Sequence, residues 1–348
     1  MDRNGSFGWC ILGTGRIAAT FAECLKTVPG ARLAAVGSRT SEKSVAFCAK
    51  YGGMPYGCYR EAVADPDVDV VYVATPHQVH EKDVILAAEA GKAILCEKPF
   101  AVNAGQTRRM ISAARENGVF LMEGLWSRFF PAWRYVKDLV DREEYGPVLA
   151  VNSTTCWGKK DLPLEHRLLN PELTGGSLLD AGIYSLAAIS FLLGDRRLRR
   201  VTSSMQIGET GVDETASVRL DYDGNIACSV TSAIYGWSFY TEILCRDATI
   251  VVPRHRNPDT VLIRRRIQGI PAVEGEEETL RFPFEGEGFR YEAEAVQECL
   301  RRGLLECPQA PLSETLRLSE VCTRVRREAE FRYPFEDPAD LSPEDDEE

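Results

Sequence analysis

Residues 7–26 are FGWCILGTGRIAATFAECLK, an apolar run followed by a glycine-rich turn and an amphipathic stretch. The run from Phe7 to Leu12 predicts a strand, and the stretch from Ile17 to Lys26 predicts a helix. The turn between them has the pattern G-x-G-x-x-A, which lets a pyrophosphate approach the backbone at a helix N-terminus. We therefore expect a dinucleotide-binding site here. Its candidate cofactor contacts are Gly13, Thr14, Gly15, Arg16 and Ile17.

The rest of the first 125 residues continues this alternation of strand and helix signals. Predicted strands lie at 32–36, 70–74, 93–96 and 119–122, and predicted helices at 41–51, 80–90 and 104–116. Ser41 and Asn103 are the expected N-caps of the first and third of these helices. Alternating elements of this kind imply a parallel, doubly wound α/β sheet of the Rossmann type. We assign residues 1–125 to this dinucleotide-binding domain.

A different pattern begins at residue 126. Five strand-like segments follow one another with short turns, at 148–156, 201–207, 215–222, 226–234 and 240–245, and two helices are predicted at 291–302 and 312–331. Consecutive strands with short turns indicate an open, mostly antiparallel sheet. We therefore expect a second α/β domain over residues 126–335. Residues 336–348 carry eight acidic residues and no basic one, and we expect an acidic disordered tail there.

The composition is that of an ordinary soluble protein. Apolar residues make up 44% of the chain, and no apolar run reaches the roughly 18 residues needed to cross a bilayer. The first eight residues lack the basic and apolar regions of a signal peptide. The eleven cysteines are irregularly spaced and include no C-x-x-C pair. These features predict reduced thiols in a cytoplasmic protein, and they argue against a disulfide framework or a zinc ribbon.

The charge distribution argues against a nucleic-acid binder. The net charge is −11, and about −3 remains when the acidic tail is set aside. The short basic clusters Arg196–Arg200 and Arg264–Arg266 are not interleaved with aromatic residues, so we expect solvated surface rather than binding patches. Motifs of serine hydrolases, P-loop enzymes and zinc metalloproteases are absent from the sequence. We expect no nucleic-acid partner and no membrane partner.

Glu97-Lys98-Pro99 follows the apolar run from Ala93 to Cys96, about eighty residues after the glycine fingerprint. A surface salt bridge before a loop is one interpretation. The other is an acid–base lysine beside a nicotinamide, where desolvation would favour the neutral amine. A cis bond to Pro99 would fix the direction of the chain at this point. We count Lys98 as a catalytic candidate, and both Glu97 and Lys98 as cofactor contacts.

The residues after the second predicted strand favour NADP over NAD. NAD-preferring sites usually place an acidic residue about 20 residues beyond the fingerprint, to bind the ribose hydroxyls. Here the sequence is Gly37-Ser38-Arg39, followed by Lys43, and no acidic residue competes. Arg39 is suited to stack on adenine and, with Ser38 and Lys43, to hold a 2′-phosphate. NAD remains the alternative if Arg39 is only an exposed turn residue.

Ala74-Thr75-Pro76-His77 ends the third predicted strand, at the side of the sheet where ligands bind. His77 and His80 are three residues apart, but two histidines without a third ligand do not make a metal site. We expect Thr75, His77 and His80 to contact the cofactor or cap the helix. No metal is expected.

The segment GGSLLDAGIY, residues 175–184, holds two further catalytic candidates. Asp180 and Tyr184 are four residues apart, so on a helix they share a face. A carboxylate and a phenol brought next to Lys98 would relay a proton from an alcohol. The alternative is an ordinary helix with a capping aspartate and a core tyrosine.

Together these motifs resemble the Gfo/Idh/MocA family of nicotinamide-dependent oxidoreductases, over nearly the whole chain from Phe7 to Phe335. The matching stretches are Gly13 to Ala18, Cys96 to Pro99 and Gly175 to Tyr184. Residues 121–131, LMEGLWSRFFP, are similar to the dimeric dihydrodiol dehydrogenase and NADP-dependent D-xylose dehydrogenase group of that family.

The resemblance implies a Rossmann domain, a second α/β domain with an open sheet that binds substrate, and homodimers or homotetramers formed through that sheet. It implies that Lys98 lies near the nicotinamide and the substrate hydroxyl, and that Tyr184 acts as acid–base with Asp180 beside it. Inositol dehydrogenases of the family usually carry histidine at that position, so Tyr184 disfavours an inositol substrate. Arg167 matches a position that often reaches the cofactor.

We therefore expect reversible hydride transfer between NADP and a hydroxyl-bearing carbon of a sugar or cyclic diol. Tyr184 would take the hydroxyl proton, Lys98 would hydrogen-bond the same oxygen, and Asp180 would orient the pair. The expected apolar wall of the substrate site consists of Trp126, Phe129 and Trp157. Two alternatives stay open: a non-catalytic NAD(P)-binding sensor or regulatory protein, and an NAD-dependent glycosidase with tightly held NAD.

Overall fold

The computed structural model describes residues 5–267 and 273–341. Within them the chain forms two compact units. The first comprises the chain up to Trp126, Gly286–Glu320 and the residues from Asp337 onward, and the second comprises Ser127–Glu285 and Val321–Glu336. The sequence-based division placed one boundary between the two domains, at residues 125 and 126, whereas the observed first unit also includes two later segments of the chain.

The first unit contains a six-stranded, wholly parallel sheet. Its strands are β1 (Phe7–Leu12), β2 (Ala31–Gly37), β3 (Met54–Tyr56), β4 (Val70–Val73), β5 (Ala93–Glu97) and β6 (Leu121–Gly124), in the spatial order β3-β2-β1-β4-β5-β6. Every residue of β1, β4, β5 and β6 is buried. Such continuous burial is characteristic of parallel strands covered on both faces, and the predicted doubly wound fold is confirmed.

Five helices of the first unit lie in the connections between these strands, and a sixth lies in a later segment of the chain. They are α1 (Arg16–Leu25), α2 (Ser41–Tyr51), α3 (Tyr59–Ala64), α4 (His80–Glu89) and α5 (Ala104–Glu116), with the later α8 (Phe289–Arg301). Phe289 of α8 meets Phe21 of α1 edge-on at 6.3 Å and stacks on Trp126 at 4.6 Å. This aromatic contact explains why α8 belongs to the first unit.

The second unit contains an eight-stranded, mostly antiparallel sheet. Its strands are β7 (Val148–Lys159), β8 (Leu198–Ile207), β9 (Asp213–Tyr222), β10 (Ile226–Tyr235), β11 (Trp237–Cys245), β12 (Ala248–Pro253), β13 (Thr260–Ile267) and β14 (Val273–Arg281). Their spatial order is β14-β13-β12-β11-β7-β10-β9-β8. Among the described strands of this second sheet, only β7 and β10 pair in parallel. The predicted open antiparallel sheet is confirmed, with three strands more than the sequence indicated.

Three further helices have residues in the second unit: α6 (Pro131–Asp141), α7 (Ile183–Leu193) and α9 (Leu312–Glu328). Ten of the eleven residues of α7 are buried. A helix that is apolar on all sides lies inside a core. The stretch Pro171–Leu193 is also long and apolar enough to be considered as a membrane span, but 94% of its most apolar window is buried inside the protein.

The helix caps agree with the sequence in one case and differ in another. Asn103 caps α5, because its side-chain oxygen accepts a hydrogen bond from the Gln106 amide at 2.9 Å. The prediction of Ser41 as the N-cap of α2 was wrong by one position. Thr40 has the extended backbone of an N-cap residue (φ −141°, ψ 139°), and Ser41 is already helical.

The prediction of disorder over the whole of residues 336–348 also needs correction. The carboxylate of Glu336 is buried against the Arg326 guanidinium, with oxygen–nitrogen distances of 2.6 and 2.8 Å. Asp340 forms an ion pair with Arg109 of α5 at 2.7 Å. Fixed guanidinium partners offset the entropy lost when these two residues become ordered. The rest of the predicted tail, residues 342–348, lies outside the described residues.

Candidate active site

The glycine fingerprint forms an open cradle at the start of α1. Gly13 has a φ of +109°, and a β-carbon there would lie only 2.6 Å from the Ala74 carbonyl oxygen, so only glycine fits. Gly15 is the N-cap residue of α1, and nothing lies within 4 Å of the position its β-carbon would take. The space a side chain would fill therefore stays free in front of the helix N-terminus. These residues fit a dinucleotide pyrophosphate.

A cavity of about 590 Å³ lies at the carboxyl ends of β2 and β3 in the same unit. Its wall combines three cations, Arg39, Arg60 and Lys82, with the apolar side chains of Tyr59, Ile85 and Leu86; its other lining residues are Gly57, Cys58, Asp83 and Glu89. Apolar and aromatic groups suit a nucleobase, and guanidinium groups suit a phosphate. This cavity has the chemistry of an adenosine site.

The sequence predicted only part of this cavity. Arg39 lines it, whereas Ser38 is buried with its amide donating to the Tyr56 carbonyl at 3.0 Å, and Lys43 is an exposed residue of α2 that does not line it. Arg60 and Lys82 were missed. Arg60 follows β3, a three-residue strand too short to be recognised by periodicity, and Lys82 lies on a helix whose packing only the fold reveals.

The end of β4 is held by a buried hydrogen-bond network. The Thr75 hydroxyl donates to the Asp83 carboxylate at 2.7 Å, and burial raises the pKa of Asp83 to about 6. The rings of His77 and His80 lie 5.5 Å apart, so the structure brings these two predicted residues together. Among the described residues, no three histidines, cysteines or acidic residues are grouped so that they could hold a metal ion.

His80 links the end of β4 to the loop that carries Lys98. One ring nitrogen lies 2.9 Å from the Thr75 carbonyl oxygen, and the other lies 3.1 Å from the Pro99 and 3.2 Å from the Phe100 carbonyl oxygens. Burial lowers the pKa of His80, although the surrounding carbonyls oppose that change. Carbonyl oxygens only accept, so each of these hydrogen bonds needs a ring N–H. A neutral imidazole carries one N–H, so it donates to one side at a time. His80 therefore connects the end of β4 to the Lys98 loop inside the first unit.

Lys98 lies half-buried just after β5, followed by a cis peptide bond to Pro99. The carboxylate of Glu97 accepts hydrogen bonds from the Tyr72 hydroxyl and, at 3.1 Å, from the Lys98 amide. Burial raises the pKa of Glu97, and the Tyr72 hydrogen bond and the Lys98 charge oppose that rise. Both carboxylate oxygens of Glu97 thus have donors within this unit, one on β4 and one in the loop that carries Lys98.

In the second unit, Gly175 and Gly176 allow two segments to close tightly. A β-carbon on Gly175 would lie within 2.8 Å of the carbonyl oxygens of residues 167, 168 and 170. A β-carbon on Gly176 would lie 2.0 Å from an Asp213 carboxylate oxygen, and the φ of Gly176 is +118°. The other carboxylate oxygen of Asp213 accepts from the amides of Ser177 at 2.9 Å and Leu178 at 2.6 Å. This buried carboxylate fixes the start of the segment that carries Asp180 and Tyr184.

Asp180 lies on a π-helical turn, Leu178–Gly182, which continues into α7. The sequence indicated an ordinary helix, and the wider turn is a difference of the kind frequent at functional sites. The Asp180 carboxylate is almost fully buried and pairs with Arg167 through two guanidinium nitrogens at 3.1 Å. Arg167, predicted to reach the cofactor, thus pairs with Asp180 in this structure, and about half of its side chain is exposed.

Tyr184 is the second residue of α7 and contacts one of the predicted aromatic residues. Its ring meets the half-buried ring of Trp157 edge-on, with centroids 6.2 Å apart, and Trp157 in turn lies 5.6 Å from Phe239. Next to Tyr184, the Ser185 hydroxyl bonds Thr155 at 2.7 Å, and Thr155 bonds the buried ring of His255 at 2.9 Å. These contacts fix the rotation of α7 and hence the direction of Tyr184.

The other two predicted aromatic residues are core residues in this structure. Trp126 is 4% exposed, with its ring parallel to that of Phe289, and Phe129 is 1% exposed. Of the three, only Trp157 keeps a partly exposed ring beside a catalytic candidate.

Comparison with known proteins identifies the family. Residues 7–125 match the model of an oxidoreductase family with an NAD-binding Rossmann fold, and residues 133–251 match the model of the Gfo/Idh/MocA C-terminal domain. Trans-1,2-dihydrobenzene-1,2-diol dehydrogenase from Mus musculus is 33% identical over 335 residues, covering 94% of this chain and 98% of the relative. The enzyme of that name from Sus scrofa is 34% identical over 343 residues, with the same coverage.

Solved structures show the same architecture. The aldose-aldose oxidoreductase from Caulobacter crescentus, complexed with glycerol, matches with a TM-score of 0.80 and 28% identity, covering 93% of this chain and 98% of that one. The 3-ketoreductase KijD10 from Actinomadura kijaniata, in complex with NADP, matches with a TM-score of 0.77 and 22% identity, covering 92% and 97%. The chain therefore belongs to the Gfo/Idh/MocA family of NAD(P)-dependent oxidoreductases.

Proposed function

We propose that the chain is an NADP-dependent dehydrogenase that acts on a hydroxyl-bearing carbon of a cyclic diol or a sugar. The observation that carries the proposal is the setting of Tyr184, a phenol fixed at the start of α7 with the ion-paired Asp180 one turn earlier. The relatives named trans-1,2-dihydrobenzene-1,2-diol dehydrogenases, 33–34% identical over 94% of this chain, support a diol.

The side chains around Tyr184 favour a substrate with a ring that bears neighbouring hydroxyl groups. Trp157 and Phe239 offer aromatic surface, which suits the apolar face of a carbocycle or pyranose. Asp180 and Arg167 offer a hydrogen-bond acceptor and several donors within one residue pair. A compound with one apolar face and two vicinal hydroxyls satisfies both kinds of group.

In the proposed reaction, bound NADP supplies the hydride acceptor. Tyr184, in its phenolate form, takes the proton of the hydroxyl while the carbon gives up its hydride, so the alcohol becomes a carbonyl and Tyr184 a neutral phenol. Lys98 donates a hydrogen bond to the same oxygen and stabilises the negative charge that develops there. Asp180 orients Tyr184 and is itself held in place by Arg167. In the reverse direction Tyr184 returns the proton to the carbonyl oxygen.

The cationic cavity supports NADP over NAD. Arg39, Arg60 and Lys82 line it together with the apolar surface of Tyr59 and Ile85, and they outnumber its acidic residues, Asp83 and Glu89. A 2′-phosphate carries about two negative charges, and guanidinium groups bind such a group through charge-assisted hydrogen bonds. We assign the adenosine 2′-phosphate to this cavity.

Replacing Arg39 should weaken NADPH binding selectively. We expect Arg39→Ala to raise the Kd for NADPH about 10- to 100-fold, since a hydrogen bond to a charged group contributes about 1.5–3 kcal/mol. The Kd for NADH should change by less than about threefold, because NADH lacks the phosphate. Fluorescence titration of the purified protein with each cofactor measures both constants.

Lys43→Ala is the matched control, because Lys43 was predicted from the sequence but does not line the cavity. Its effect on NADPH binding should be clearly smaller than that of Arg39→Ala. Equal losses of NADPH and NADH affinity in Arg39→Ala would contradict the assignment of the phosphate to this cavity. Tighter binding of NADH than NADPH by the unaltered protein would move the cofactor proposal to NAD.

The function itself is tested by an absorbance assay at the nicotinamide band. Purified protein with NADP should reduce the cofactor when given a trans-dihydrodiol of benzene or an aldopentose such as D-xylose. Inositol should be a poor substrate, because Tyr184 replaces the histidine usual in inositol dehydrogenases of the family. Cofactor binding without turnover of any cyclic diol, pentose or hexose would favour a sensor instead.

We also propose that the protein is a cytoplasmic homodimer or homotetramer. All eleven cysteines are free thiols, which supports a reducing compartment. Strand β10 alternates buried with partly exposed residues, so one face of the second sheet presents small side chains such as Ala227, Ser229 and Thr231. A face of small side chains suits close packing against a second copy of the chain. Light scattering that gave the mass of a single chain would refute the assembly.

A further inference from the structure

Glu292 is a fully buried carboxyl group that the proposed mechanism does not use. It lies in the first turn of α8 with 0% exposure, and neither carboxyl oxygen has a hydrogen-bond partner among the described residues. Burying an ionised carboxylate without a partner costs several kcal/mol or more, so such a group takes up a proton instead. Burial, and the negative charge of Glu97, raise the pKa of Glu292 well above its ordinary value.

The carboxyl group of Glu292 lies close to the strand end that carries Lys98. Glu97 pairs in register with Gly124 of the neighbouring strand β6. A β-carbon on Gly124 would lie 3.5 Å from the Glu97 α-carbon and 3.6 Å from a carboxyl oxygen of Glu292. Both groups therefore lie around the same point of β6, and the negative charge of Glu97 acts on the Glu292 carboxyl group.

Other ionisable groups surround this pair from each neighbouring element. Tyr72 on β4 donates to Glu97, and Cys96 precedes Glu97 on β5. Glu123 on β6 accepts from the Phe100 amide at 3.1 Å, and Cys24 is the ionisable group of α1 that interacts with Glu292. On α8 itself, Arg290 is engaged with the carboxylate of Glu294 at 2.9 Å. Two adjacent buried carboxylates repel each other, so a second charge beside Glu97 is disfavoured.

We propose that Glu292 is a positioning residue that stays protonated at neutral pH and thereby leaves Glu97 as the single charged member of the pair beside Lys98. The inference rests on the proposed role of Lys98. A second negative charge, formed when Glu292 ionises, strengthens the attraction of the Lys98 ammonium towards the carboxylates and away from the substrate oxygen. Activity therefore falls as Glu292 loses its proton.

Glu292→Gln keeps the shape of the protonated side chain and cannot ionise. In the folded wild type Glu292 keeps its proton above the ordinary Glu pKa of 4.5, whereas in the unfolded chain it ionises. Wild-type stability therefore declines, relative to Glu292→Gln, as the pH rises from about 4.5 towards the raised pKa. In this window the unfolding equilibrium constants should diverge by up to tenfold per pH unit. Denaturant unfolding at pH 5, 6, 7 and 8 measures this divergence without cofactor.

Glu294→Gln is the matched control, because it removes one carboxylate from the same helix at a partly exposed ion pair. Its stability difference from the wild type should vary little over the same pH range. If Glu292→Gln shows the same flat difference, Glu292 is not a buried neutral acid and the proposal is wrong.

The pH profile of kcat/KM tests the effect on Lys98. Glu292→Gln should match the wild type within about twofold at pH 7 and keep its activity at alkaline pH where the wild type declines. If the kcat/KM profiles of the wild type and Glu292→Gln superimpose while their stabilities diverge with pH, Glu292 is a buried neutral acid without a positioning role, and the proposal is wrong. Failure of the proposed function is a separate outcome: full activity of Lys98 and Tyr184 variants would overturn it, while the stability divergence of Glu292→Gln would stand.

Discussion

Lys98→Met should lower kcat/KM by about 10²- to 10⁴-fold, the range typical for loss of an acid–base group. The proposed reaction needs a hydrogen-bond donor at the substrate oxygen, and methionine fills the same space without one. Affinity for NADPH should stay within about threefold, since the cradle of Gly13 and Gly15 and the cavity around Arg39 are unchanged. Steady-state kinetics and fluorescence titration measure the two effects separately.

Tyr184→Phe belongs to the same prediction and should cause a loss of similar size. Phenylalanine keeps the ring that meets Trp157, so α7 should remain in place while the proton acceptor is removed. If both residues act on one hydroxyl, the double variant should lose little more than the worse single variant, because the two groups work as a unit. Multiplicative losses would indicate that they serve different steps.

Lys50→Met controls for the loss of a lysine in general, since Lys50 lies exposed on α2. It should retain full activity. Wild-type turnover in both Lys98→Met and Tyr184→Phe would contradict the assignment of these residues to the chemistry.

Gly176→Ala should destabilise the protein by about 3 kcal/mol or more and remove activity together with stability. The new β-carbon would overlap an Asp213 carboxylate oxygen at 2.0 Å. Moving that carboxylate breaks its hydrogen bonds to the Ser177 and Leu178 amides, and bonds to charged groups contribute about 1.5–3 kcal/mol each. The melting temperature should fall by roughly 4 °C or more. Thermal unfolding followed by circular dichroism measures it.

Gly211→Ala is the control that distinguishes the effect of the clash in Gly176→Ala from the effect of a positive φ alone. Gly211 also has a positive φ, +82°, but nothing lies within 4 Å of the position of its β-carbon. Its alanine variant should lose only the cost of an unfavourable backbone conformation, about 1–2 kcal/mol. Equal destabilisation of the two variants would show that the contact between Gly176 and Asp213 has no special weight.

The elements that the sequence predicted well are those with strong local signals. Strand β1 and helices α1 and α5 lie within one or two residues of their predicted bounds, because apolar periodicity and capping act over a few neighbouring residues. Strands β3, β12, β13 and β14 and helices α3 and α6 were not predicted. Two of them carry local signals that were overlooked. Helix α6 begins at Pro131 and buries one apolar face, and β13 follows the turn signal Asn257-Pro258-Asp259.

The catalytic roles of Lys98, Asp180 and Tyr184 stay predictions, drawn from the sequence motifs in which these residues stand. The pairing of Arg167 with Asp180 and the position of Arg60 in the cavity were not predicted, since each depends on where separate segments meet. Side chains that depend on distant partners leave no periodic signal.

By itself, the sequence determined the two α/β units, the dinucleotide fingerprint and the positions of the acid–base candidates. These follow from local periodicity and from glycines whose backbone no other residue can adopt, as at Gly13. Only the tertiary structure decided that Asp213 anchors the chain 36 residues before it, and that Glu292 lies unpartnered beside Glu97 among the described residues. Burial and partners come from chain segments far apart in sequence, and they set the charge of each group.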